Sequence, residues 1–329
     1  MKNNRGWLIA LSIIVGLVLA CGLPMLGVVV LSMTATPSSG SGSVASGTYW
    51  EEEFVSGTGI DRVLILEITG VIGAEAGGFG ATQLTTEELI SQINQAAEDE
   101  NIKAVVVHVD SPGGGVVASD MIHNELVELR EAGKRLIVSM GTTAASGGYY
   151  VSAPAERIYA NSETFTGSLG VIITLLNYEG ALDKLGLQQR VFKSGEFKDI
   201  GSPSRELSQE EIDILQSIVD QAYNRFVDVI ADGRGIPRAQ VLELADGRIY
   251  TGQQALDLNL IDELGDMEDA IAGAKELAGL GSDARVVRYN SAPTLTDLLF
   301  ASAQQGNDPL GLRTVLEQQT PLLEYRMVP

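Results

Sequence analysis

The sequence predicts an α/β domain in which helices cover a sheet, and three observations carry that reading. From residue 62 to about residue 290, apolar runs of strand length alternate with amphipathic stretches of helix length. The run "IKAVVVHVD", residues 102–110, is almost continuously apolar and rich in valine, as expected of a strand buried on both faces. Two helical stretches open on a Ser or Thr with Glu three residues later, the pattern of a capping box. Strands that alternate with helices pack as a sheet with helices laid on it.

The elements follow in order. Residues 1–33, "MKNNRGWLIALSIIVGLVLACGLPMLGVVVLSM", carry no charge between Arg5 and Met33. The apolar run from Trp7 to Leu31 is long enough for a membrane helix, which needs roughly 20 residues. Lys2 and Arg5 precede it and the next basic residue is Arg62, so the positive-inside rule puts the N-terminus in the cytoplasm and the rest outside. A cleaved signal peptide is a rival reading. So is a loose lipoprotein box at "VLAC", which would lipidate Cys21, although the run continues ten residues past that cysteine. Residues 34–58 read as a Ser/Gly-rich flexible tether, residues 59–290 as the folded domain, and residues 291–329 as a C-terminal tail.

Within the domain, "RVLILEITG" (62–70) reads as a strand, and residues 85–100 as a helix opened by Thr85 and Glu88. The strand 102–110 leads into "DSPGGG" (110–115), a glycine-rich turn, and then a helix over 116–134 with Met121, Ile122, Leu126 and Leu129 on its inner side. "RLIVSM" (135–140) is a strand, and "GGYYVSAPA" begins a short helix. "ERIYA" (156–160), "LGVIIT" (169–174) and "LQQRVFKSG" (187–195) are further short strands. A long helix starts at a Ser208–Glu211 capping box, buries Ile212, Leu215, Val219, Phe226 and Ile230, and ends at Gly233.

Composition excludes several chemistries. The net charge of −21 disfavours a nucleic-acid partner, which needs clustered Lys and Arg. A single cysteine allows no internal disulfide, and two histidines, His108 and His123, match no zinc spacing. "DSPGGG" offers backbone amides for an anion or oxyanion, yet it lacks the Lys-Ser/Thr of a phosphate-binding loop, and a plain strand-to-helix turn explains it equally well. "AASGG" (144–148) likewise presents Ser146 from a constrained turn. It is not the G-x-S-x-G of a nucleophile elbow, and close packing alone would account for its small residues.

If Ser146 is a nucleophile it needs a base. His108 lies in a buried strand and His123 on a helix, and neither is demanded. Ser–Lys pairs are the known alternative. Among seven lysines, Lys2 precedes the apolar run, Lys103, Lys134 and Lys184 sit at element ends, Lys193 ends a strand and Lys275 lies on a late helix. Lys198, in the loop "SGEFKDIGSPSRE", is left by elimination, although a solvated loop lysine is the ordinary case. A base lysine must fall from about 10.4 to about 7.5, which takes roughly 4 kcal/mol of desolvation or like charge. Phe197 would help by excluding water, and Glu196 and Asp199 must point away.

At "HVDSPGG", "TTAASGGYYVSAPAERIYANSETFTGSLGVI" and "KSGEFKDIGSP", in that order, the chain resembles the short, single-repeat form of the signal peptide peptidase A family. The resemblance covers most of residues 60–280. It implies a Clp/crotonase-like spiral of β-β-α units after one transmembrane helix, and a membrane-anchored serine endopeptidase acting on remnant signal peptides and other unfolded or hydrophobic peptides. It assigns Ser146 as nucleophile, Lys198 as general base, Ser168 as a serine that orients the lysine, and the amides of Gly114 and Gly147 as the oxyanion hole. It implies a homo-oligomeric ring, an octamer being one candidate size, with the Ser–Lys pair shared between neighbours. It implies no metal and no cofactor. A related Ser–Lys peptidase acting on a membrane-scaffold protein, an acyl-CoA hydratase-like enzyme on the same fold, and a silent scaffold are the competing readings.

Overall fold

The computed structural model describes residues 50–73, 84–290 and, as backbone, 323–326. The apolar run 7–31, Cys21 and residues 34–49 lie outside them. Among the described residues no helix is long and apolar enough to cross a membrane.

Six parallel strands form the main sheet, in the order β10 (Arg285–Asn290), β2 (Arg62–Ile72), β3 (Ile102–Gly115), β4 (Arg135–Ala145), β5 (Arg157–Ala160) and β9 (Glu263–Leu264). Residues 51–56, assigned to the tether on sequence, form an edge strand, β1 (Glu51–Ser56), antiparallel to β10. Alternation within each strand supplies two cores. Leu64, Leu66, Val105, Val107, Leu136 and Val138 join Ile93 of α1 (Thr86–Glu98) and Ile122 and Leu126 of α2 (Val116–Glu131). Val63, Ile65, Val106 and Ile137 face Ala270 and Ala274 of α8 (Met267–Leu277). Burial on both faces is why these strands read as unbroken apolar runs. The Thr85–Glu88 and Ser208–Glu211 capping boxes are both present.

The strands β3 and β4 outlast their common pairing, and this builds the site. Strand β4 pairs with β5 through Ile137–Met140, then turns its last residues, Thr143–Ala145, onto β6 (Phe165–Gly167). Strand β3 pairs with β4 as far as Ser111, and its glycines continue as strand. The "DSPGGG" stretch is therefore the end of β3 rather than a turn. Gly113–Gly115 pair antiparallel with β11 (Leu323–Arg326), whose backbone also pairs with β7 (Ile172–Ile173). Strand β6 is completed antiparallel by β8 (Ile249–Thr251).

Four further expectations are corrected. "LGVIIT" yields only the two residues of β7. Residues 187–193 form no strand: after α4 (Glu179–Leu185) they run exposed, because nothing among the described residues offers them an edge. In α2, Met121 is 42% exposed whereas Ser119 and His123 are buried, so its inner face is rotated from the one expected. In α5 (Gln209–Arg234) the second half is buried through Phe226, Val227 and Ile230, but Ile212, Ile214 and Ile218 are exposed. That helix ends on Gly235, in the left-handed conformation (φ 62°). Gly233 instead permits close crossing, since a Cβ there would lie 2.3 Å from the Ala153 carbonyl oxygen. The remaining helices are α3 (Gly147–Ser152), α6 (Arg238–Leu244) and α7 (Gly252–Asp257).

Candidate active site

Ser146 stands between the end of β4 and the start of α3, with φ 54° and ψ −115°. A non-glycine residue there is strained by about 1–3 kcal/mol, and its neighbours fix it. Its amide donates to the Gly167 carbonyl at 2.7 Å, and all six residues of α3 are buried. Tyr149 donates its hydroxyl to the Leu260 carbonyl at 2.7 Å, and Tyr150 donates to Asp120 Oδ1 at 2.6 Å. Burial pushes the Tyr149 hydroxyl well above its usual range, so it stays a neutral donor. The result is a strained turn held rigidly, the arrangement that presents a nucleophile. Ser146 is 1% exposed, and its Oγ has no hydrogen-bond partner among the described residues.

Neither histidine serves it. His108 Nδ1 lies 3.2 Å from the Ser139 carbonyl. His123 lies edge-on to Tyr150, with ring centroids 5.2 Å apart, and its Nδ1 is 3.2 Å from Asn124 Oδ1. Burial pushes the His123 pKa down, so it is neutral at pH 7.

The glycines meet beside Ser146. A Cβ on Gly147 would fall 2.7 Å from Ser119 Oγ and 3.1 Å from both Gly113 Cα and Gly114 N. A Cβ on Gly148 would fall 2.7 Å from the Ser111 carbonyl, and one on Gly114 would fall 2.0 Å from the Ile72 carbonyl. Only glycine allows β3 and α3 to close to this distance. The Gly113 amide is already engaged, donating to Ser111 Oγ at 3.1 Å, while that hydroxyl donates to the Gly70 carbonyl at 2.6 Å. The structure thus brings Gly114 and Gly147 together and ties the neighbouring Gly113 amide elsewhere.

Ser168 follows the register pair Ala145↔Gly167 exactly as Ser146 does, which sets the two serines on adjacent strand ends. It too has positive φ, 51°, and its amide donates to the Arg248 carbonyl at 2.7 Å. Ser168 lines a cavity of about 460 Å³ together with Leu169, Ile172, Tyr223 and Ile249.

Lys198 is not brought to Ser146 within the chain, since Ser146 Oγ has no partner. It lies exposed in the loop between α4 and α5, with its amide on the Gly195 carbonyl at 3.2 Å. The loop is braced around it. Arg205 donates from Nε and Nη2 to Asp199 at 3.1 and 2.9 Å, and from Nη1 to Glu211 Oε2 at 2.8 Å. Lys193 completes the brace with Asp199 at 2.7 Å. Hydrogen bonds from Arg205 and Lys193 hold the Asp199 carboxyl well below the usual carboxylate range, and those from Arg205 and the Ser208 backbone hold Glu211 down at about 2. Asp199, the acid next to Lys198 in sequence, is spent on other partners.

Four participants escape sequence reasoning: Ser111, Ser119, Arg205 and the strand β11. Ser111 stands in the motif "DSPGGG" and Arg205 in the Lys198 loop, so both carried a positional hint. Lys134, read as a solvated end, is buried and donates Nζ to the Asp99 and Ile102 carbonyls at 2.6 and 2.9 Å.

Comparison with known proteins agrees with this site. Residues 128–281 match the model of peptidase family S49. An Enterococcus faecium protein named as a candidate signal peptide peptidase SppA is 38% identical over 317 residues, covering 93% of this chain and 89% of its own. Protease 4 of Salmonella typhi is 39% identical over 212 residues, covering 64% of this chain and 34% of its own length. The chloroplastic serine protease SPPA of Arabidopsis thaliana is 31% identical over 262 residues, 79% of this chain and 39% of its own.

Proposed function

Because the chain belongs to peptidase family S49 and is of the SppA type, we propose that it is a membrane-anchored serine endopeptidase working through Ser146 and Lys198. The observation that carries this reading is Ser146 itself: a positive-φ serine whose buried Oγ is unpartnered, next to the paired glycines Gly114 and Gly147.

In the proposed reaction, Lys198 Nζ takes the Ser146 Oγ proton as Oγ attacks the scissile carbonyl carbon. The carbonyl oxygen becomes an oxyanion and accepts hydrogen bonds from the Gly114 and Gly147 amides, which act on charge that develops only in the transition state. The intermediate collapses, the C–N bond breaks, and Lys198 returns its proton to the leaving amine. Water, deprotonated by Lys198, then cleaves the acyl ester and frees Ser146. Ser168 orients Lys198 by hydrogen bonding. The fold reading is the Clp/crotonase-like spiral, supported by the turn of β3 and β4 into a second set of pairings at their C-terminal ends.

We assign Lys198 to a neighbouring copy. Two features support this: Ser146 Oγ lacks a base within its own chain, and the segment before Lys198 exposes Leu185, Leu187, Val191 and Phe192, the last at 96%. Contiguous apolar exposure on that scale marks an interaction surface. A ring of copies would bury it, complete the site and give the lysine the dry setting that a neutral amine needs. With the apolar run 7–31 behind Lys2 and Arg5, the domain is placed outside the cytoplasm, acting on signal-peptide remnants and other unfolded or hydrophobic peptides.

The test is a fluorophosphonate probe together with an internally quenched hydrophobic peptide. The wild type is expected to label at Ser146, and Ser146→Ala or Lys198→Ala to cut hydrolysis by at least about 1,000-fold, as for other nucleophile–base pairs. Near wild-type turnover in either variant would reject the pair.

A further inference from the structure

The glycine end of β3 is a strand edge left open when β4 departs. The pairing of β3 with β4 stops at Ser111↔Ala144. From Gly113 to Gly115 the edge is instead taken by β11, with register Arg326↔Gly113, Tyr325↔Gly114 and Glu324↔Gly115. The far edge of β11 is taken by β7, with Leu323↔Ile173 and Glu324↔Ile172. One strand therefore lies in a slot between β3 and β7, antiparallel to both. That slot passes the nucleophile, because Gly114 N lies 3.1 Å from the Cβ position of Gly147, the residue after Ser146.

A slot of this kind suits a peptide of almost any sequence. Its β3 wall is three glycines, so recognition there runs through main-chain hydrogen bonds, the logic of strand addition. We propose that residues Leu323–Arg326 are a resident competitor in the substrate slot, and that an extended substrate enters by displacing them and takes the same antiparallel course. This rests on the reading of Ser146 as the peptidase nucleophile. The occupant belongs to the same chain, so it competes at a fixed effective concentration, in the millimolar range for a short flexible connection. A substrate sees only the fraction of sites from which β11 has left, and its apparent affinity falls by that fraction. The strand thus selects for peptides that are already extended and locally abundant.

The test compares the full chain with two variants, one ending at residue 322 and one carrying Tyr325→Pro, which removes a main-chain donor and disfavours the strand. For an internally quenched peptide, KM is expected to fall about tenfold in both, with kcat within about twofold, a modest release for a millimolar tether. A synthetic peptide of residues 320–329 should inhibit the shortened chain competitively. A second readout does not need catalysis. In a Ser146→Ala background, the same peptide carrying fluorescein should bind the shortened chain about tenfold more tightly than the full chain, read by anisotropy. Equal binding to both backgrounds, unchanged KM, or a loss of kcat and melting temperature on shortening would overturn the proposal. Failure of the nucleophile reading alone would abolish turnover differences while leaving the anisotropy difference in place.

Discussion

Ser146, Ser168 and Asn259 are the non-glycine residues with positive φ among the described residues, and two of the three are the serines of the site. Such strain persists only where the surroundings over-determine it, and here the surroundings are glycines packed against backbone. Gly147→Ala tests that directly. Its new methyl would meet Ser119 Oγ at 2.7 Å and Gly114 N at 3.1 Å. Overpacking of this sort costs about 1–3 kcal/mol, so the melting temperature should fall by several degrees and turnover should collapse as the two amides are pushed apart. Adding Ser119→Gly removes the closest clash, and should recover stability more than activity; calorimetry and steady-state kinetics on the pair separate the two effects. Ser119→Ala alone should leave stability unchanged or raise it, because the buried Ser119 hydroxyl has no partner to lose. A drop in melting temperature as large as that of Gly147→Ala would contradict this. Much of this was legible as residue type. The small residues around Ser146 announced a close approach, and elimination among the lysines reached Lys198. The pairing of Ala145 with Gly167, which sets Ser168 beside Ser146, depends on a register between distant segments that no local pattern encodes.

The brace of the Lys198 loop is an element in its own right. Arg205 sits between Asp199 and Glu211, and Glu211 also closes the capping box of α5, so one arginine ties the loop to the start of a helix. The Glu211 carboxyl is held at about 2 in the fold against about 4.3 in a free chain. Asp199 is shifted in the same direction. A depressed carboxylate contributes stability that is fully present above its free value and is lost as pH falls through the folded one. Hydrogen-exchange protection across residues 194–205, corrected for intrinsic rates, should therefore hold from pH 7 to about 5 and decline below about 4. In Arg205→Met it should be low already at pH 7. Protection in that variant equal to wild type would show that the brace does not order the loop. Elements were read well where a pattern had a covering partner in the chain, as in β2, β3 and α1. They were misread where it had none. Alternation over residues 187–195 gave the look of a strand, and the spacing of Ile212, Leu215 and Val219 that of an inner face. A period of two or of 3.6 says that a face is apolar, not which molecule covers it.

At the scale of the whole molecule those two misreadings point the same way. The apolar segment 185–192 and the first half of α5 are exposed, and they flank the loop that carries the proposed base. Meanwhile the proposed nucleophile is buried and lacks one. A site split between copies accounts for all of this at once, and it makes a quantitative claim about mixtures. In a ring each active site draws its serine from one copy and its lysine from the next, a heterologous contact that closes by rotation. A Ser146→Ala chain still supplies an intact Lys198, and a Lys198→Ala chain an intact Ser146. Dissociated, mixed in equal amounts and reassembled, they form intact sites wherever a Lys198→Ala copy presents its serine to a Ser146→Ala copy. Random assembly gives that order at about a quarter of interfaces. Peptide hydrolysis should therefore return to about a quarter of the wild-type rate, from two preparations each inactive alone, and should grow with the time allowed for exchange. Mixed assemblies seen by native mass spectrometry without recovered hydrolysis would instead put serine and lysine on one chain. The loop of residues 194–205 would then have to fold back onto Ser146, in a conformation different from the exposed one it adopts here.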